Sequence, residues 1–483
     1  PSTVNHTNHG RPMTKLTVFL FASLLSPSLA AAEHYDNELA LVESWLAAQR
    51  AYDNVPGLSA AIVHGQDLAW SGGFGLADIE SGQPAKADTI YGICSISKLF
   101  TGVAVMQLRD QGKFGLDVPL SGLLPWYNLE QAFDGSPQTT LRATLTHSAG
   151  LPRESDYPYW MPPDFDFPSS EDIRKKLGEQ ATIYPADRYF QYSNLGLTLA
   201  GEVVTEQSGT GYDDYVRRNI LGPLGLTDTE TGFPTDKREP RVATGYSYPG
   251  RDQQLKVMPR YDATGITPAA GFASTAIDLA RFAAWQFRAM QNGEDPVLHG
   301  NTLREMQRAQ WLDWDWGTAR GLAFGIYRVN GRTLTGHGGD CPGFNTRLYL
   351  DPVSEIGVAV MANRNRVDVD GYAAAIYDIL DSGGTPEGGP DQSLDDFVGS
   401  YDLSPWDGEE MVFRWKDGLA VVSLPNMHPA ESITRLTQDE GDRFYTVRSD
   451  DGKPGHEVLF LRDANGEVTH MRVHSMDLPR LDD

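Results

Sequence analysis

From residue 96 the chain places apolar side chains at Ile96, Leu99, Phe100, Val103 and Met106. That is the spacing of one helix face, and Gly112 sits where such a helix would stop. The same 3.6-residue rhythm predicts helices over 39–51, with Leu41, Val42, Trp45 and Leu46 inward, and over 195–207, 212–219, 275–290 and 371–380. A shorter helix is expected at 141–151, ending in a glycine turn. Strand-like runs occupy 58–64 and 67–73, joined by Gly65-Gln66 as a hairpin, and return at 322–329, 332–336, 346–350 and 356–362. Strands at both ends with helices between them predict an α+β domain. Its antiparallel sheet is built from the two ends of the segment, flanked by helices, with an all-helical subdomain between.

Beyond this domain the pattern breaks. Residues 382–390, Ser-Gly-Gly-Thr-Pro-Glu-Gly-Gly-Pro, have linker composition. After them, alternating segments at 411–415, 419–424, 443–447 and 457–461 predict a small all-β module over 391–483. His456, His470 and His474 are scattered there without the carboxylate or cysteine partners of a metal site.

Composition narrows the setting. The 483 residues carry 65 acidic against 40 basic side chains, a formal charge of −25, which disfavours nucleic acid or an anionic membrane as partner. Mean hydropathy is −0.38, the range of a soluble globular chain. The first methionine is Met13, so 1–12 reads as an upstream extension or scar. Lys15, an apolar run over 16–25, Pro27 and Ala30-Ala31-Ala32 then form a secretory signal pattern over 13–32. The apolar run is too short to span a bilayer. The expectation is a periplasmic or secreted protein without stable membrane insertion, its first domain covering 33–381.

Candidate chemistry begins at Ser95-Ile96-Ser97-Lys98. In a first helical turn, Lys98 lies on the face of Ser95 and can take its proton if burial and the helix end depress the lysine pKa. An isolated Ser-x-x-Lys equally describes an N-cap serine beside a solvated lysine. Two further stretches bear on the choice. Tyr192-Ser193-Asn194 precedes a helix, and its phenol and amide suit proton exchange and lysine positioning. His337-Gly338-Gly339-Asp340 is expected at a strand end, where glycines let backbone approach a substrate; an ordinary glycine-rich hairpin end is the alternative. Aromatics in the loop 152–168 could line a cleft or simply pack. There is no Gly-x-Ser-x-Gly and no His-Glu-x-x-His, so neither an α/β-hydrolase nor a zinc peptidase is indicated, and no metal or cofactor is expected.

In this order the three stretches resemble the nucleophile, second and third motifs of the serine β-lactamase and penicillin-binding protein superfamily, with His337 where β-lactamases carry lysine. The likeness is greatest to the branch holding class C β-lactamases, family VIII carboxylesterases and D-aminopeptidases. Thr146-His147-Ser148-Ala149-Gly150-Leu151, Val242-Ala243-Thr244-Gly245-Tyr246 and Ala270-Gly271-Phe272-Ala273-Ser274-Thr275 agree with it, and the trailing module resembles lipocalin-like domains appended to some members.

The resemblance implies acyl transfer on a small ester, a D-amino-acid peptide or a lactam. Ser95 would be the nucleophile, Lys98 and Tyr192 the proton carriers, Asn194 the orienting amide, and the N–H groups of Ser95 and Asp340 the oxyanion hole. His337, with a pH-dependent charge in place of a fixed cation, shifts the expectation from β-lactamase or D-Ala-D-Ala carboxypeptidase toward esterase or D-peptidase. A catalytically idle binding protein on the same fold is the remaining alternative. Because the implied oxyanion amides adjoin the chain's two cysteines, a Cys94–Cys341 disulfide is also expected.

Overall fold

The computed structural model describes residues 35–383, 392–416 and 418–481. The expected signal segment and upstream extension, and 384–390 of the expected linker, lie outside the described residues.

Helix α1 (Asp36–Tyr52) leads into strands β1 (Gly57–His64), β2 (Asp67–Asp78) and β3 (Gln83–Pro84). After a long helical excursion the chain returns as β4 (Trp311–Leu312), β5 (Ala319–Arg320), β6 (Gly325–Val329), β7 (Arg332–Cys341), β8 (Phe344–Asp351) and β9 (Ile356–Ala362). The sheet order is β3-β2-β1-β9-β8-β7-β6-β5-β4, so the first and last long strands meet at its centre. They pair antiparallel from Leu58 opposite Ala362 to His64 opposite Ile356. Both faces of this centre are covered, which is why β1 and β9 read as nearly continuous apolar runs. Ala60, Ile62, Val358 and Val360 face one core with Trp45 and Tyr372, while Ala61, Val63, Ala359 and Met361 face the other with Phe282.

The second core holds the element that matters most. Helix α2 (Ser97–Asp110) is buried along almost its whole length, from Ser97 to Leu108, between the sheet and the helical subdomain. That subdomain includes α3 (Leu141–Leu145) and α4 (Asn194–Ser208), and α5 (Ala276–Asn292) packs on the sheet beside it. Ser193 caps α4 by accepting the Gly196 N–H at 2.8 Å, and Gly209, at φ 69°, ends it in the left-handed conformation. α6 (Val369–Ser382) closes the domain and takes in Ser382, which the linker composition had claimed.

The C-terminal module is a meander of β10 (Gly399–Asp402), β11 (Glu409–Trp415), β12 (Gly418–Leu424), β13 (Thr434–Glu440), β14 (Arg443–Val447), β15 (Pro454–Arg462), β16 (Val468–Val473) and β17 (Met476–Pro479). Tyr401 pairs with Arg480, bringing the two edges together into a nearly closed barrel. Phe397, Phe444 and Phe460 fill the interior. Met411, Phe413 and Trp415 point outward onto α1 and α6, and Trp45 Nε1 donates to Asn426 O at 2.8 Å across that contact.

Three expectations change. Residues 322–324 are not strand, because Ala323 takes a left-handed φ of 65° and its N–H donates to Leu145 O at 2.9 Å. β7 runs on through His337-Gly338-Gly339 to Cys341, so this motif lies within a strand rather than at its end. In the loop 152–168, Tyr159, Phe165 and Phe167 are buried in the core, and only Arg153 of that loop lines the cleft described next.

Candidate active site

Ser95 sits in a single 3-10 turn, Cys94–Ile96, that feeds directly into α2. Cys94 has φ 51°, a left-handed conformation that costs a side-chain-bearing residue about 1–3 kcal/mol and persists only under constraint. The constraints are visible. Ser97 Oγ donates to Cys94 O and accepts the Phe272 N–H at 3.0 Å. Thr346 Oγ1 donates to Ile93 O at 3.3 Å. Cys94 is disulfide-bonded to Cys341, with Cα atoms 5.7 Å apart. β7 presses so closely on the turn that a Cβ on Gly339 would lie 2.2 Å from Ile93 O, so only glycine fits there.

The turn leaves Ser95 half-exposed while Lys98, one turn on, is fully buried. Lys98 Nζ lies 2.9 Å from Ser95 Oγ, 2.9 Å from Asn194 Oδ1 and 2.7 Å from Ala269 O. Burial holds its pKa well below the ordinary 10.5; the nearby charge of Glu154 opposes that shift and Arg153 adds to it. Asn194 Oδ1 and Ala269 O can only accept hydrogen bonds. A neutral Lys98 has two N–H groups to give them, and its lone pair then faces Ser95 Oγ.

Tyr192 OH is 2.8 Å from Ser95 Oγ on the other side. Burial raises its pKa above the usual tyrosine value, so it is a neutral phenol, able to pass a proton but not to act as a standing base. Its ring stacks on His147 at 4.4 Å, with Lys98 Nζ 4.9 Å from its centroid. His147, at φ 59°, accepts the Ser193 N–H at Nδ1 (3.1 Å) and the Gln191 N–H at its carbonyl (2.7 Å). It thereby fixes the segment carrying Tyr192. His147 fell inside the quoted Thr146–Leu151 motif, but nothing in the sequence assigned it a task.

Glu154 lies outside all three motifs, and no sequence signal marks it. Its Oε1 accepts Asn194 Nδ2 at 2.7 Å and its Oε2 accepts Tyr159 OH.

His337, Gly338, Gly339 and Asp340 line the same cleft as Ser95 and Tyr192, a space of about 590 Å3. β6 pairs with β7 only as far as Gly336; beyond it the free edge of β7 faces the cleft. His337 departs from expectation. It is buried, its Nδ1 lies 2.6 Å from Gly338 O, and burial reinforced by the Lys98 charge holds its pKa well below 6.5. A neutral ring whose Nδ1–H is donated to a carbonyl does not replace a cation.

The arrangement can therefore activate one serine hydroxyl between an amine and a phenol. A family model described as Beta-lactamase matches residues 42–381. Beta-lactamase-like protein 2 of Dictyostelium discoideum is 26% identical over 362 residues, 71% of this chain, and the match spans 65% of that relative's own length. Among solved structures, the octameric penicillin-binding protein homologue from Pyrococcus abyssi superposes with a TM-score of 0.63 at 23% identity, covering 91% of this chain and 99% of that one. D-amino acid amidase from Ochrobactrum anthropi SV3 gives 0.58 at 22% identity, with coverage of 71% and 96%. At such identities these superpositions speak for the fold.

Proposed function

Because the chain belongs to the beta-lactamase family over residues 42–381 and is thus a serine hydrolase, we propose that it is an exported enzyme that cleaves small esters or D-amino-acid amides and peptides through an acyl-enzyme on Ser95. The observation that carries this reading is the placement of Ser95 Oγ, 2.9 Å from Lys98 Nζ and 2.8 Å from Tyr192 OH.

In the first step Ser95 Oγ attacks the substrate carbonyl and its proton passes to Lys98. The N–H groups of Ser95 and Asp340 receive the oxyanion. Tyr192 then relays a proton from Lys98 to the departing alkoxide or amine, leaving an ester on Ser95. Water reverses the sequence: it attacks the ester carbonyl, gives a proton to the Lys98–Tyr192 pair, and Ser95 leaves with that proton restored. The Cys94–Cys341 bond supports export, since disulfides persist in oxidising compartments.

A β-lactamase or D-Ala-D-Ala carboxypeptidase is the competing activity, and the neutral His337 weighs against it. Turnover of short-chain acyl esters, D-alanyl amides and peptides, and a chromogenic cephalosporin by the purified chain decides between them. A serine acylated at Ser95 should be seen by mass spectrometry with the best substrate. Efficient cephalosporin hydrolysis with no ester or D-amide turnover would reverse the preference, and an unlabelled Ser95 under a fluorophosphonate probe would leave a catalytically idle protein.

A further inference from the structure

Among the described residues, none from the C-terminal barrel lines the cleft beside Ser95. The barrel is not built as a ligand carrier either, since Phe397, Phe444 and Phe460 fill its interior and Arg462, at its mouth, is paired with Asp396 at 2.9 Å. Its outward face makes the connection to the first domain. The segment between β12 and β13, residues 425–433, lies against α1 and α6. Trp45 Nε1 donates to Asn426 O at 2.8 Å, the Asn426 N–H donates to Gln49 Oε1 at 2.7 Å, and Met427, Ala430 and Ile433 pack on the core that holds Tyr372, Ala373 and Ile376. Met427 reaches the first turn of α6, where a Cβ on Gly371 would lie 2.8 Å from its Cε.

That turn is a wall of the cleft, which Val367, Asp368, Val369 and Asp370 all line. Asp370 pairs with Arg347, and Arg347 lies across Gly338, where an added Cβ would be 2.8 Å from the guanidinium carbon. The Val367 N–H donates to Asn345 Oδ1 at 3.0 Å, and Asn345 stands opposite Asp340 in the β7–β8 ladder. One line of contacts therefore runs from the barrel through Gly371 and Asp370 to the free edge of β7. We propose that the barrel buttresses the substrate cleft, and that Met427 is a positioning residue holding the first turn of α6 where Arg347 packs on β7. The proposal rests on the acyl-enzyme reading and gives the C-terminal module a role which that reading does not supply. Close-packed contacts pass a displacement on rather than absorb it, so a gap at Met427 shifts the wall. Lys98 and Tyr192 lie on other elements, so the shift changes how a substrate is held and not how Ser95 is activated.

The test compares wild type, Met427→Ala, Met427→Leu and Trp45→Phe in the full chain, on whichever short-chain acyl ester or D-alanyl amide it turns over best. Met427→Ala should raise KM about 2- to 30-fold, the reach of a packing change that acts through a neighbouring element. Its kcat and its rate of Ser95 labelling by a fluorophosphonate should match wild type. Met427→Leu conserves the buried volume and should keep the wild-type KM. Trp45→Phe removes the hydrogen bond to Asn426 and should raise KM in the same direction, which keeps the proposal testable if Met427→Ala misfolds. An unchanged KM in a folded Met427→Ala overturns it, whatever the melting temperature does, because the barrel then only stabilises the chain. An unchanged KM in Trp45→Phe overturns it where Met427→Ala does not fold, and a loss confined to kcat overturns it in either variant. These results leave Ser95 chemistry standing, whereas no turnover by wild type with Ser95 unlabelled defeats the acyl-enzyme reading and this role with it.

Discussion

Glu154 Oε1 accepts a hydrogen bond from Asn194 Nδ2 at 2.7 Å, and that contact orients Lys98. An ionised carboxylate only accepts, so the Asn194 amide must present its nitrogen to Glu154 and its oxygen to Lys98. Lys98 in turn must donate to that oxygen and to Ala269 O, leaving its lone pair for Ser95. Glu154 is a positioning residue two hydrogen bonds from Lys98, the proposed proton acceptor of Ser95.

Glu154→Gln tests this chain of constraints. Glutamine can donate as well as accept, so Asn194 is free to flip, and kcat/KM should fall about 10- to 100-fold, part of what general-base catalysis contributes. Glu154 also raises the Lys98 pKa; without its charge Lys98 loses its proton at still lower pH. The acid limb of the kcat/KM profile should therefore move to lower pH. A loss of activity with an unmoved acid limb would mean that Glu154 matters only for folding.

Ser95→Ala should abolish turnover and labelling by a fluorophosphonate. Ser95 is half-exposed, so its melting temperature should stay close to that of wild type, the change in stability remaining within about 1 kcal/mol. Intact-mass spectrometry after labelling reads the first outcome and a thermal melt the second. Residual turnover in the purified variant would remove Ser95 from the mechanism.

His147 and His337 should make the protein acid-sensitive. Both are buried with pKa values held well below 6.5, first by desolvation and then by Lys98. Above pH 6.5 both histidines are neutral whether the chain is folded or unfolded. As pH falls below it, only the unfolded chain takes up these protons, so stability drops by at most about 1.4 kcal/mol per pH unit for each histidine. Urea unfolding at pH 7 and pH 5 should show the loss, and His337→Asn should reduce its slope. For the same reason KM for a carboxylate-bearing substrate should not improve between pH 8 and about pH 6 through His337; an improvement that disappears in His337→Asn would restore its cationic role.

The Cys94–Cys341 bond ties the turn that carries Ser95 to β7 across 247 residues of sequence. Closing so long a loop is worth on the order of 5 kcal/mol at most in chain entropy. The double substitution Cys94→Ala, Cys341→Ala should lower the melting temperature and reduce kcat, because the Ser95 and Asp340 N–H groups lose their covalent spacer. Non-reducing peptide mapping of the purified protein should recover the linked pair. Two titratable thiols in the denatured, unreduced protein would contradict it.

The sequence by itself determined what local period and spacing can carry. Ser95 and Lys98 share a helix face because they are three residues apart, and β1 and β9 announce a doubly covered strand by their apolar runs. The order of the three motifs named the family. Within the barrel, β11 and β12 were legible from alternation, whereas β13 was not, since most of Thr434–Glu440 is exposed and polar and offers no hydrophobic period. Tertiary structure alone decided the rest. Glu154, on a loop, reaches Asn194 from 40 residues away, and Ala269, in the short helix Thr267–Ala270, reaches Lys98 from 171 residues away, and no period links such positions. His337 has the composition of a pH-responsive cation, and burial beside Lys98 makes it a neutral ring; charge state depends on solvation and neighbours, and a linear sequence specifies neither.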